Sequence, residues 1–152
     1  MILLTEEFSK QDCQKMFEDV IDEFSEIPEL EGYFYPNIIK AKLNWLKQTN
    51  RKALGLCRGR YYKSTLEPIE CEIFLNPNML KFEDDKEQII KDTLAHELVH
   101  TCKGCNNHGS EFHRIGNLIR RKLGYVIDNC MKHIKIYVSV LYGENRWRTT
   151  YL

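Results

Sequence analysis

The feature that most constrains this chain is His96-Glu97-Leu98-Val99-His100, two histidines four residues apart. On a helix, residues so spaced differ by about 40° in azimuth and about 6 Å along the axis, so both rings lean toward one point. Two neutral imidazoles at that spacing suit zinc, whose catalytic sites take three protein ligands and leave a fourth position for water. Glu97 follows the first histidine, where its carboxylate can take a proton from that water. A five-residue pattern is short, so its surroundings carry the weight. Residues 86–101 (KEQIIKDTLAHELVHT) contain no Gly or Pro, and Ile90, Leu94 and Leu98 form an apolar row. Asp84 and Asp85 stand where an N-cap and a first-turn acid belong. The motif is expected in the last turns of a helix over residues 86–102. The plain alternative is a solvated pair of histidines with Glu97 as an ordinary helix former.

The rest of the chain reads as one α+β domain, 1–152. Its 152 residues are enough to bury a core. An apolar stripe of Cys13, Met16, Phe17, Val20, Ile21 and Phe24 predicts an N-terminal helix capped by Thr5 and running to about Ser25. Alternation of Ile39, Ala41, Leu43 and Trp45 with polar residues predicts a half-buried strand, with further strands at about 53–62 and 70–75. The sheet is expected to be small and mostly antiparallel. Residues 103–109 (KGCNNHG) form a polar loop, and Ser110 is the expected cap of a helix over 111–123 that buries Phe112, Ile115, Ile119 and Leu123. Gly124 is its natural end. A hairpin is expected over 134–152 around Gly143-Glu144-Asn145.

The opening Met1-Ile2-Leu3-Leu4 lacks the basic n-region of a signal peptide, and no apolar run approaches a membrane span. Six cysteines without an export signal favour reduced thiols and a cytoplasmic setting. The net charge of zero conceals blocks: −8 over residues 1–36, +8 over 37–63, −6 over 64–100 and +6 over 101–152. Lys40, Lys42, Arg58 and Arg60, interleaved with Trp45, Tyr61 and Tyr62, are candidate nucleic-acid contacts. A solvated strand face beside an acidic helix explains the same pattern.

A third metal ligand must come from downstream. Asn106 occupies the position at which a metzincin would carry its third histidine, leaving His108 and His113 close by and His133 farther on, in a Cys130-x-x-His133 pair. Together with the HExxH, His108-Gly109-Ser110-Glu111-Phe112 resembles the SprT-like zinc metalloprotease family, over roughly residues 5–125. The resemblance implies a zincin-like fold, one zinc held by His96, His100 and His108, and Glu97 as the catalytic base. It also implies protein substrates, among which Spartan-type members cleave proteins crosslinked to DNA. Many members add a zinc ribbon made of two cysteine pairs. Here no cysteine follows Cys130, so one zinc per chain is expected. Cys102-x-x-Cys105 could be structural, or a redox or metal-trapping pair. A second donor for the oxyanion could come from His113, Tyr61, Tyr62 or Arg114, and Asp92 could orient a ligand imidazole. The strand at 70–75 is the expected substrate-pairing edge. Two other functions fit the residues less fully: a nucleic-acid-associated module with a structural metal, and a zinc hydrolase acting on a non-peptide amide.

Overall fold

Cys13, Met16, Phe17, Val20 and Phe24 form the buried face of helix α1 (Lys10–Ser25). The computed structural model describes residues 9–50, 52–82 and 85–127. Ser9, not Thr5, caps α1. Its Oγ accepts from Asp12 N–H (3.3 Å), and the Asp12 carboxylate accepts from Ser9 N–H (2.7 Å). This reciprocal box satisfies two otherwise orphan donors, which fixes the helix start there. Thr5 lies outside the described residues.

The sheet contains β1 (Asn44–Trp45), β2 (Gly55–Tyr61) and β3 (Pro68–Leu75), in the spatial order β1-β3-β2. β2 and β3 pair antiparallel, with Leu56 opposite Phe74 and Arg58 opposite Glu72, whereas β1 runs parallel to β3. The sheet is therefore mixed, and its longer ladder is antiparallel. The alternation at 39–45 yields only the two residues of β1 and an isolated bridge from Ile39 to Cys71. Between the two, Gln14 of α1 meets the backbone. Its Nε2 donates to the Ala41 carbonyl (2.8 Å), and its Oε1 accepts from Leu43 N–H (2.8 Å). These bonds tie the segment to α1 on the side away from β3, to which Lys40 N–H and Leu46 N–H donate.

Helix α2 (Lys86–Val99) packs against α1, α3, β2 and β3. Ile90, Leu94 and Leu98 are wholly buried, and so are Ala95 and Val99 on its other sides. Each large side chain so withdrawn from water contributes roughly 1.5–3 kcal/mol, making α2 the best-anchored element. Asp85 occupies the N-cap in a left-handed conformation (φ 56°), but its side chain makes no capping bond, and Asp84 lies outside the described residues. Past Val99 the chain stays right-handed through His100, and Thr101 N–H bonds back to the Leu98 carbonyl (3.0 Å).

Helix α3 (Ser110–Leu123) buries Phe112, Ile115 and Ile119, with Leu123 half-buried. Ser110 is its first residue rather than its cap. Gly109 holds the N-cap, and the Asn107 side chain accepts its N–H (2.9 Å). Gly124 ends the helix at φ 81°. The hairpin expected over 134–152 and the Cys130/His133 pair lie outside the described residues. Among the described residues, no helix is long and apolar enough to cross a membrane.

Candidate metal centre

The end of α2 and the loop before α3 bring three imidazoles together. His96 Nε2 lies 3.2 Å from His108 Nε2, and His100 Nε2 lies 3.1 Å from the same atom. His96 is buried, His100 half-buried and His108 exposed, so the group opens to solvent on one side. The Nδ1 atoms of the two α2 histidines face outward from it. His96 Nδ1–H donates to the Ile127 carbonyl and His100 Nδ1–H to the Cys105 carbonyl, both at 2.8 Å. A carbonyl only accepts, so both rings carry the proton on Nδ1 and leave the Nε2 lone pair toward the shared point. The ring of Phe112 packs against all three imidazoles, with centroids 4.6–5.0 Å away.

These residues fit a metal ion. Tetrahedral zinc with Zn–N bonds of about 2.0–2.1 Å separates its nitrogens by about 3.3 Å, close to the Nε2 spacings found. Burial pushes the His100 imidazole down to about 4, its bond to Cys105 opposes this, and positive charge on His96 or His108 would push it further down. The ring is therefore neutral at pH 7, as a ligand must be. Among the described residues no other group of His, Cys, Asp and Glu converges in this way.

Glu97 lies beside them in a cleft of about 540 Å³ between α2 and β2. Burial pushes its carboxyl up to about 8, partly offset by a hydrogen bond from Cys57 N–H. A neighbouring dication would favour the ionised form. The contact with β2 depends on Gly55. A Cβ there would come within 2.8 Å of Thr93 Cγ2 and 3.0 Å of Glu97 Cγ. A glycine inside a strand is a signal of such close approach, but the Cys57 N–H and the two carbonyls that hold the imidazoles leave no trace in side-chain identity.

The other candidates are scattered. Tyr61 lines the cleft, but its hydroxyl donates to the His100 carbonyl (2.9 Å). Tyr62 is 56% exposed at the hairpin end, where its N–H bonds to the Glu67 carbonyl. His113 is exposed on α3, and Arg114 pairs with Glu111 and stacks over Tyr33; neither lines the cleft. Asp92 accepts from Gln88 Nε2 (2.9 Å) and Val126 N–H (3.1 Å). Lys40 and Arg60 both pair with Glu70, and Arg58 pairs with Glu72, while Lys42 is exposed. The Cys102 and Cys105 thiols are buried and point at the carbonyls of Leu98 and Lys103. Burial raises both, Cys105 to about 12, so they stay protonated. The strand expected to meet substrate, β3, is the central one; the strand on the cleft is β2, an edge of the sheet among the described residues.

A family model described as SprT-like matches residues 24–135. The chain belongs to the SprT-like family. It matches no curated protein and no solved structure. This SprT-like chain thus joins a family of metalloprotease type to a group of three histidines that can hold a metal ion.

Proposed function

We propose that this SprT-like protein is a zinc-dependent peptidase in which His96, His100 and His108 hold the ion and Glu97 carries the proton. The observation behind the proposal is that three Nε2 atoms converge beside a buried carboxyl at the wall of one cleft. Bound zinc supplies Lewis acidity, which acidifies water and polarises a peptide carbonyl. Glu97, which lines the cleft, takes the proton from the attacking water and returns it to the departing amine. The Ile127 and Cys105 carbonyls hold the two α2 imidazoles in the tautomer a metal requires.

The substrate is an extended polypeptide laid along β2. An edge strand offers unpaired backbone groups to an incoming chain whatever its sequence, and the Cys57 N–H on that strand already reaches Glu97. Proteins held on DNA are the narrower substrate class, supported by the basic, aromatic segment 37–63. Glu97→Gln tests the reading. The variant should bind zinc with wild-type stoichiometry and lose cleavage of an unfolded protein substrate; zinc retained with cleavage intact would refute it.

A further inference from the structure

Two acids are buried among the described residues, and Asp92 is the deeper, at 3% exposure against 8% for Glu97. A carboxylate in such a place has a desolvation cost that an apolar residue would avoid. What it secures is a segment distant in sequence. Asp92 Oδ1 accepts from Val126 N–H at 3.1 Å, and the next residue, Ile127, offers the carbonyl that accepts from His96 Nδ1–H at 2.8 Å. The segment is held at two further points. Tyr125 bonds to Glu23 of α1, and the Ile127 side chain lies over Gly116 of α3, where a Cβ would stand 3.3 Å from Ile127 Cγ2. His100 is held separately, by the Cys105 carbonyl in the loop after α2.

We propose that Asp92 is a positioning residue for His96: by holding Val126 N–H it fixes the Ile127 carbonyl, which sets the orientation and tautomer of the His96 ring and so the affinity of the site for its metal. The proposal rests on the reading of the three histidines as a metal centre. It separates the two α2 ligands, because a change at Asp92 reaches His96 through residues 126–127 and leaves the Cys105 bond to His100 in place.

The test is zinc affinity, measured by competition with a chromophoric chelator, for Asp92→Ala, Asp92→Leu and Asp92→Asn. The leucine variant keeps the volume filled if alanine fails to fold. Loss of an orienting partner of a metal ligand costs about 10–100-fold in affinity, and that loss is expected for Ala and Leu. Asparagine retains an oxygen for Val126 N–H and should stay near wild type. In the chelator-treated protein, the Nδ1–H resonance of His96 should disappear by exchange in the Ala and Leu variants while that of His100 persists, a selectivity that general loosening would not give. Unchanged affinity in Ala and Leu, equal loss in Asn, or joint loss of both histidine resonances would overturn the proposal. A wild-type chain that takes up no zinc, or whose affinity is untouched by His108→Ala, would instead refute the metal reading beneath it.

Discussion

Removing the charge of Glu97 should stabilise the metal-stripped protein while abolishing its chemistry. The carboxyl is buried, and its pKa rises from an ordinary 4.5 to about 8. A group raised in this way contributes stability that is complete below 4.5 and is lost as pH climbs through 8, since the unfolded chain ionises freely and the folded one does not. At about 1.36 kcal/mol per pH unit the gap sets a ceiling of about 5 kcal/mol; relaxation around the charge reduces this to roughly 2–3 kcal/mol. Glutamine has the same shape and keeps an oxygen for Cys57 N–H, so Glu97→Gln removes the ionisation and little else. Urea denaturation in excess chelator should therefore show the variant more stable by about 2–3 kcal/mol at pH 8 and by less than about 1 kcal/mol at pH 5. The His100 titration, which lowers stability as pH falls from 6.5 toward 4, is common to both proteins and cancels in the comparison. With zinc added the gain should shrink, because a dication favours the carboxylate. A gain that does not vary with pH, or a variant less stable than wild type at pH 8, would show that Glu97 is not held as a strained, desolvated acid.

Four further outcomes are expected. His108→Ala should lose zinc and cleavage together, whereas His113→Ala, altered on the exposed face of α3, should keep zinc; elemental analysis after gel filtration separates them. Cys102→Ser and Cys105→Ser should leave the content at one zinc per chain, and loss of a second equivalent in either would expose a thiolate site. Gly55→Ala places a methyl 2.8 Å from Thr93 Cγ2, an overpacking that should cost about 1–3 kcal/mol in denaturant midpoint analysis and lower cleavage by moving β2 off Glu97. If DNA is a partner, binding should weaken steeply with salt, and glutamine at Lys40, Lys42, Arg58 and Arg60 should flatten that slope; no binding at low salt would reject the partner and leave the peptidase reading standing.

What the sequence disclosed was whatever repeats along a single element. The row Ile90, Leu94, Leu98, the α1 stripe and the alternation Cys71, Ile73, Leu75 each repeat with the period of their own helix or strand, and all of them bury except Ile21, which is half-buried. What it concealed was set by specific partners, near or far along the chain, that periodicity does not reveal. Only Asn44–Trp45 of the segment 39–45 pairs as a strand, and Gln14 of α1 binds its backbone at Ala41 and Leu43, although nothing within that segment departs from alternation. Ser9 displaces Thr5 as cap because Asp12 completes its box, and Gly109 takes the cap from Ser110 because Asn107 already holds its N–H. In the candidate site the same division holds. The histidines and Glu97 are visible as side chains, while the carbonyls of Ile127 and Cys105 and the N–H of Cys57 are backbone groups that any residue would supply. Asp92 and Tyr61 both line the cleft, and their partners include a backbone N–H and a backbone carbonyl, which side-chain identity does not reveal.

The placement of the motif in α2 has an energetic consequence. His96 and Glu97 occupy the most enclosed helix of the fold, where an unpaired polar group costs several kcal/mol. Each is tolerated because a backbone group from a different element meets it: Ile127, just past α3, for His96 and Cys57 of β2 for Glu97. Neither partner is in place until the sheet and α3 have docked on α2. The ligand geometry is therefore a product of tertiary closure rather than of the helix alone, and an isolated peptide spanning 86–109 should bind zinc far more weakly than the folded chain. Conversely, a metal that holds His108 against His96 and His100 ties the loop before α3 to the end of α2. Metal binding and closure of this side of the domain should then reinforce each other, with zinc raising the denaturation midpoint of the wild type and leaving that of His108→Ala unmoved.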